Sequence, residues 1–262
     1  MWIKKLLLIL LLCSVCQAVN DFSGDTNLIA LYNLENGALL TDSSGNGETL
    51  TDDSITADAV NYKQGSASGF ANADGDELYR IDADLSADFP GKSGAGNKTF
   101  SVCFWMRCTD LDATNYIVSK WGGTPSRLWS VNVTDTNVRW LISATGSDAE
   151  ALTETNTTIG ENKWYHVGAT YNVDKTWRIR IWDVDATSVA ESTGTGSLLL
   201  GDEAARFSLF NYALGISGFE GNLDEVVIFK DVLTADEIDQ IRAGTYSVAA
   251  PSATGQVIMI GN

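Results

Sequence analysis

Ten short runs of apolar and aromatic residues recur along the chain, parted by clusters of Gly, Asn and Asp. They are Leu28 to Leu34, Leu78 to Ile81, Phe100 to Arg107, Tyr116 to Lys120, Leu128 to Val133, Val138 to Ser143, Trp164 to Tyr171, Trp177 to Trp182, Phe207 to Phe210 and Phe219 to Phe229. Runs of this length, rich in β-branched and aromatic residues and bounded by turn formers, read as β-strands. Within Phe100 to Cys108, strand geometry puts Phe100, Val102, Phe104 and Met106 on one face and Ser101, Cys103, Trp105 and Arg107 on the other. The first face suits a core, and the second, with Trp105 and Arg107, suits the outside of a sheet. Helix-period patterning is almost absent, so the series predicts two packed antiparallel sheets. One helix is expected. Thr234 followed by Glu237 fits a capping box, and Gly244 is placed to end it.

Three stretches carry more than a strand pattern. Leu28-Ile29-Ala30-Leu31-Tyr32-Asn33-Leu34-Glu35 is followed by the turn Asp42-Ser43-Ser44-Gly45-Asn46-Gly47. Lys163-Trp164-Tyr165-His166-Val167-Gly168-Ala169-Thr170-Tyr171 lies mid-chain, and Gly221-Asn222-Leu223-Asp224-Glu225-Val226 leads through Leu233-Thr234 to Glu237-Ile238. In this order they resemble the first strand and turn, the Trp-x-His-Val strand and the closing strand-helix motif of laminin G-like domains, of the concanavalin A-like lectin and glucanase superfamily. The resemblance spans roughly residues 27 to 245. It implies an all-β fold: a two-sheet antiparallel jelly-roll β-sandwich with one short C-terminal helix.

About 225 residues up to Gly244 are a normal size for one such sandwich, and neither an internal repeat nor a second domain is visible. Residues 1–18 have the three-part layout of a secretory signal: Lys4 and Lys5, the apolar run Leu6 to Leu12, and small residues up to Ala18. Cleavage after Ala18 is expected, the alternative being an uncleaved anchor; the run is short for a membrane span, and no later segment is long enough to cross a bilayer. The expected organisation is therefore a signal at 1–18, a sandwich at 19–246 and a tail at 247–262, in a secreted, extracellular protein that is not transmembrane after cleavage. The tail links through Ala249 to Ala253 to a β-prone run, Gln256 to Ile260. That run reads as a frayed end, the start of a further domain, or a strand offered to a neighbouring molecule for self-association.

Acidic residues number 34 against 17 Lys and Arg, a formal net charge of −17 that becomes −19 once Lys4 and Lys5 leave. Nucleic acid is excluded as a partner on this balance, because phosphate backbones are bound by neutralising them with Lys and Arg. Two of the four cysteines, Cys103 and Cys108, survive signal removal. Five residues of strand would hold them about 17 Å apart, too far for a disulfide, so they read as free, packed thiols.

Candidate chemistry is limited. The alternating oxygens of Asp42, Ser44 and Asn46 before Gly47 mimic the front of a calcium loop. The resemblance implies one structural Ca2+ site, carried here by Asp42, the Gly45 carbonyl, Asn46 and Asp224. The competing reading is an Asx turn made by Asp42 and Asn46. Asp74, Asp76 and Glu77 around Gly75 form a weaker second set, read rather as a hydrated turn. The single histidine, His166, sits inside a strand and suits packing better than catalysis. A glycosidase needs two carboxylates across a cleft. The superfamily's glucanases carry theirs on one strand, and the nearest approach here, Glu237-Ile238-Asp239-Gln240-Ile241-Arg242, falls on the helix. No catalytic residue is therefore assigned.

Seven tryptophans follow the signal, and an indole face can stack on a sugar while its N–H bonds outward. Trp140 and Trp164 read as core; Trp105, Trp121, Trp129 and Trp182 are the ligand candidates. Asn97, Asn132 and Asn156 head glycosylation sequons. The function expected is a secreted, non-catalytic module, calcium-stabilised, that binds a glycan or an extracellular surface. A structural adhesion or self-assembly protein is the alternative, and a polysaccharide-degrading enzyme a third.

Overall fold

The computed structural model describes residues 19–111 and 114–248. The expected signal and the Gln256 to Ile260 run lie outside the described residues. The strands in chain order are β1 Leu28–Tyr32, β2 Thr51–Asp53, β3 Thr56–Asp58, β4 Ser68–Ala71, β5 Glu77–Arg80, β6 Phe100–Asp110, β7 Thr114–Trp121 and β8 Arg127–Thr134. They continue with β9 Asn137–Ile142, β10 Glu150–Thr153, β11 Trp164–Tyr171, β12 Thr176–Asp183, β13 Ser188–Thr195, β14 Phe207–Leu209 and β15 Glu220–Phe229. One α-helix, the single one among the described residues, follows: α1 (Ala235–Ala243).

One sheet runs β13-β12-β11-β6-β15-β4-β3, with β1 also on β15; the other runs β10-β9-β8-β7-β14-β5-β2. The strand pairs within both sheets are antiparallel. This is the two-layer, all-β sandwich that the strand series predicts. Between the layers, alternate residues interdigitate: Phe100, Phe104, Val167 and Ile179 from the first sheet meet Val131, Trp140, Phe207 and Leu209 from the second, all fully buried. Trp129 belongs to this layer and not to a ligand surface. Its ring lies 5.1 Å from Phe100 and stacks on Trp140 at 5.9 Å, and its Nε1–H donates to the Pro90 carbonyl at 2.9 Å. Trp129 shares the inward face of Val131 and Val133, and the β7–β8 register shift between Lys120 and Trp121 takes Arg127 out of that alternation.

Cys103 and Cys108 are both buried and free, as their spacing on one strand requires. Burial holds both thiols protonated, Cys108 being pushed up to about 12. Asn132, in β8, is also buried, which closes that sequon to a glycan in the folded chain.

A second, smaller core forms on the outer face of the first sheet. Here α1 lays Ile238 and Ile241 over Cys103, Val227 and Leu31, with Leu233, Phe22 and Tyr246 around them. The helix is capped as expected. The Thr234 side chain accepts the Glu237 N–H while Glu237 reaches back to the Thr234 N–H, and Gly244 closes the end in the left-handed region at φ 70°. Arg180 of β12 pins it laterally with a two-pronged pair to Asp239, at 3.1 and 2.6 Å. The two ends of the described chain meet beside this helix. The Asp21 N–H donates to the Tyr246 carbonyl at 2.8 Å, Asn20 bonds both the Ile241 carbonyl and the Tyr246 N–H, and Asp21 bridges Ser247 in parallel.

Gly168 is what lets α1 sit this close. A Cβ there would fall 2.5 Å from Ile238 Cγ2, inside any tolerable contact. Gly168→Val is therefore expected to lift the helix at a cost of about 2 kcal/mol. Hydrogen exchange checks this: the α1 amides lose protection while those of β8 and β9 keep it, and unchanged α1 protection would refute the close fit.

Candidate functional site

Where α1 leaves the outer face of the first sheet open, strand register assembles a band of side chains from four strands. Trp182 (β12) lies opposite His166 (β11), His166 opposite Trp105 (β6), and Trp105 opposite Asp224 (β15). One row outward, Trp164 lies opposite Arg107, and Arg107 opposite Asn222. Side chains in a strand alternate between faces, so all seven share the face that α1 covers further along at Gly168 and Cys103.

Aromatic and charged groups alternate within this band. The His166 and Trp105 rings meet edge to face at 5.0 Å. The Lys63 ammonium lies 5.4 Å from the Trp105 ring centroid and 5.8 Å from that of Trp164, and the Arg242 guanidinium lies 4.2 Å from that of Trp182. Trp164 and Trp182 are half-exposed, and Tyr62, next to Lys63, is exposed. Arg107 donates to Asn162 at 2.8 Å and to Asn222 at 3.2 Å, and Asn222 donates to Asp58 at 3.1 Å, which fixes the polar side of the band.

Four polar atoms in or beside the first row are buried without a hydrogen-bond partner: Trp105 Nε1, His166 Nε2, Asp224 Oδ1 and Glu225 Oε2. Burial, aided by Arg242, lowers His166 to about 3 and keeps the imidazole neutral. Burial also raises Asp224 to about 7, against the pull of two backbone N–H donors, Lys63 at 2.6 Å and Gln64 at 2.9 Å. Glu225 is raised to about 8, again by burial, although Asn20 donates to it at 2.7 Å. Glu225 occupies the left-handed region, φ 47°, at the bulge where β15 slips against β6. The two carboxyls are successive residues on one buried stretch of β15.

Asp42, Asn46 and Asp224, nominated for calcium, each make hydrogen bonds within the chain. Asp42 Oδ1 accepts the N–H groups of Leu31 (3.1 Å) and Ser44 (2.9 Å), and Oδ2 accepts that of Glu48 at 2.8 Å. Asn46 turns its amide nitrogen to the Leu28 and Ile29 carbonyls at 2.8 and 3.1 Å, and Gly45 takes the left-handed turn position. Asp42, Gly45 and Asn46 thus staple a turn to β1, the Asx-turn alternative, whereas Asp224 organises the separate Lys63–Gln64 segment. Among the described residues, no three His, Cys, Asp or Glu side chains form a group able to hold a metal. Asp76 likewise closes its own turn by accepting from Asn72 and Ala73.

Of the four tryptophans nominated from sequence, the structure brings Trp105 and Trp182 into one band and separates the other two. Trp105 is 6% exposed and forms the floor. Trp121 is buried on the outer face of the second sheet under Arg127, 5.8 Å away, and Trp129 is core. Trp164, expected in the core, lies only partly buried on the outer face. The period-two pattern had the information, because Trp164, His166, Gly168 and Thr170 share the face opposite Tyr165, Val167, Ala169 and Tyr171.

A search of curated proteins finds no match. The fold is shared with domain 4 of AbnA, an extracellular GH43 arabinanase from Geobacillus stearothermophilus, solved with arabinotriose: 17% identity over 82% of this chain and 98% of that one, TM-score 0.58. It is shared too with the binding domain of botulinum neurotoxin serotype G, at 15% identity over 82% of this chain and 50% of the other, TM-score 0.57. The serotype D ligand-binding domain, solved with N-acetylneuraminic acid, gives 13% identity over 83% and 51%, TM-score 0.58. The chain spans about half the length of these toxin domains. Residues 82–239 match the Laminin_G_3 family model. Closing strand, capped helix, Trp-x-His-Val strand and sandwich thus agree with that match, and the chain belongs to the Laminin_G_3 family of the concanavalin A-like lectin/glucanases superfamily.

Proposed function

We propose that this chain is a secreted, non-catalytic carbohydrate-binding module whose contact surface is the open end of the first sheet's outer face. The observation that carries the reading is the band itself. Half-exposed indoles, Trp164 and Trp182, flank a floor in which Trp105 Nε1, His166 Nε2 and Asp224 Oδ1 have no hydrogen-bond partner among the described residues. A saccharide supplies what such a surface lacks, a weakly polar ring face for the indoles and hydroxyls that both donate and accept. The sugar complexes of the arabinanase domain and the serotype D toxin domain support a binding role on this fold. The leader-like pattern at residues 1–18 supports export.

The reading is tested by titrating the protein with neutral arabino-, galacto- and gluco-oligosaccharides. Trp164→Ala and Trp182→Ala are each expected to weaken the best ligand about tenfold, the size of one lost stacking contact. Melting temperature should change little, because both rings are half-exposed. Undiminished binding by the double variant would remove this surface from consideration.

A further inference from the structure

The second sheet presents a cation that the fold leaves unanswered. The chain holds 34 carboxylate side chains against 17 Lys and Arg. The other arginines of the described residues have carboxylate or amide partners: Arg80 with Glu48, Arg107 with Asn162 and Asn222, Arg139 with Asp135, Arg178 and Arg180 with Glu191, Arg206 with Glu77, and Arg242 with Asp239. Among the described residues, Arg127 alone of the arginines has a side chain with neither an ion pair nor a hydrogen bond, and its Nε is buried without a partner. It is nonetheless held in place. Its guanidinium lies 5.8 Å from the Trp121 ring, close enough to Tyr116 and Tyr212 to stabilise their phenolate forms against the opposing effect of burial.

The surroundings are as specific as the charge. Tyr116 and Tyr212 stack at 4.3 Å with 23° between their planes. The loop carrying Tyr212 is fastened to β7 by three backbone bonds, Phe210 N–H to Ile117, Tyr116 N–H to Ser217 and Ala213 N–H to Trp121. At its tip Leu214 and Ile216 stand 54% and 67% exposed. A fixed guanidinium fork, a pair of stacked phenols with neutral hydroxyls and an aliphatic rim thus meet at one end of the second sheet, on the opposite side of the sandwich from the Trp164 band.

We infer that Arg127, with Tyr116, Tyr212 and the Leu214–Ile216 tip, forms a second subsite that takes the carboxylate of an acidic saccharide. Arginine matches a carboxylate in two parallel bonds. The tyrosine pair offers hydroxyls and a ring edge to the sugar, and the aliphatic tip takes an apolar substituent. On a surface this acidic, any anion is repelled at long range, so the subsite selects a ligand that brings its carboxylate on a ring able to stack. A bare anion gains too little. The inference rests on the reading of the chain as a saccharide-binding module and adds the class of sugar and the place where its charge is read.

The test titrates the full mature chain with trigalacturonate and, in parallel, with neutral galactotriose and with acetate. Expected are tighter binding of trigalacturonate than of galactotriose, negligible binding of acetate, and weakening of the trigalacturonate complex on going from low to high salt. Arg127→Gln should reduce trigalacturonate affinity tenfold or more and leave galactotriose unaffected, with Arg127→Lys in between. Trp164→Ala should show the opposite selectivity. Should Arg127→Gln fail to fold, the salt dependence and acid-to-neutral ratio of the wild type still decide. Equal affinity for the two trisaccharides, or a trigalacturonate complex indifferent to Arg127 and to salt, overturns the subsite alone. Absence of binding to any saccharide, including the neutral panel, overturns the subsite and the reading beneath it together.

Discussion

Trp129→Ala is expected to lower stability by about 4 kcal/mol, the usual cost of emptying a large aromatic site in a core. In a domain of this size that corresponds to a fall in melting temperature of about 10 °C. The cost has two parts. The indole fills the space between Phe100, Trp140 and Phe207, and its N–H is the donor that answers the buried Pro90 carbonyl. Trp129→Phe keeps most of the volume and loses the hydrogen bond, so it should cost about 1–2 kcal/mol. Thermal melts of the two variants beside Trp164→Ala separate core from surface. A Trp129→Ala melt within 2 °C of wild type would return Trp129 to the list of ligand residues.

Stability should peak in mildly acid solution and decline toward alkaline pH. Asp224 moves from an ordinary 3.8 up to about 7, and Glu225 from 4.5 up to about 8. Above about pH 4.5 the unfolded chain gives up these protons while the folded chain keeps them. The stabilisation is thus complete below the unfolded values and is lost as pH climbs through 7 and 8. Moving one carboxyl from 3.8 to about 7 corresponds to about 4 kcal/mol. On the acid side the sign reverses. Asp58 and Asp148 are held near 2 by hydrogen bonds, and stability that depends on their charge disappears as pH falls from about 4 toward 2. Melting temperature should therefore be highest near pH 4 and fall from there, by several degrees by pH 8.5. The double variant Asp224→Asn, Glu225→Gln should flatten the alkaline arm and leave the acid arm in place. A melting temperature that rises from pH 5 to pH 8.5 would contradict the burial of these two carboxyls.

The architecture was legible where strands are buried on one face and alternate. Phe100 to Cys108 showed its core face and its outer face directly, and the Thr234–Glu237 box and Gly244 marked both ends of α1. Strands β2, β3, β4, β10 and β13 were not legible. Ser188–Thr195, an edge strand facing Arg178 and Arg180, has no deeply buried face and so no apolar alternation to display. Lys120 misleads in the opposite way. A lysine is almost never fully buried unless paired, yet this one is, satisfied by Asp82 and the Ala205 carbonyl at 2.6 Å each.

The site was legible in kind and not in composition. Aromatic residues on outward strand positions pointed to Trp105 and Trp182, but the band depends on register among β12, β11, β6 and β15, which pair over long stretches of chain. Arg127 left no trace in the sequence. An arginine is common, and only the folded arrangement shows that no carboxylate among the described residues reaches it. The turn residues Asp42 and Asn46 show in the sequence only their atoms, and it is the fold that directs backbone N–H groups onto Asp42 and the Asn46 amide onto the Leu28 and Ile29 carbonyls.

The clasp that joins Asn20 and Asp21 to Ile241, Tyr246 and Ser247 also defines a mechanical path. Tension applied between the two ends of the described chain reaches a few hydrogen bonds and the small core under α1 before it reaches the sandwich. The clasp opens like a latch, peeling α1 off Gly168 and uncovering the centre of the face whose far end carries the tryptophan band. A sandwich loaded this way is expected to yield first at these contacts, ahead of the sheets that hold Trp105, Trp164 and Trp182 in register.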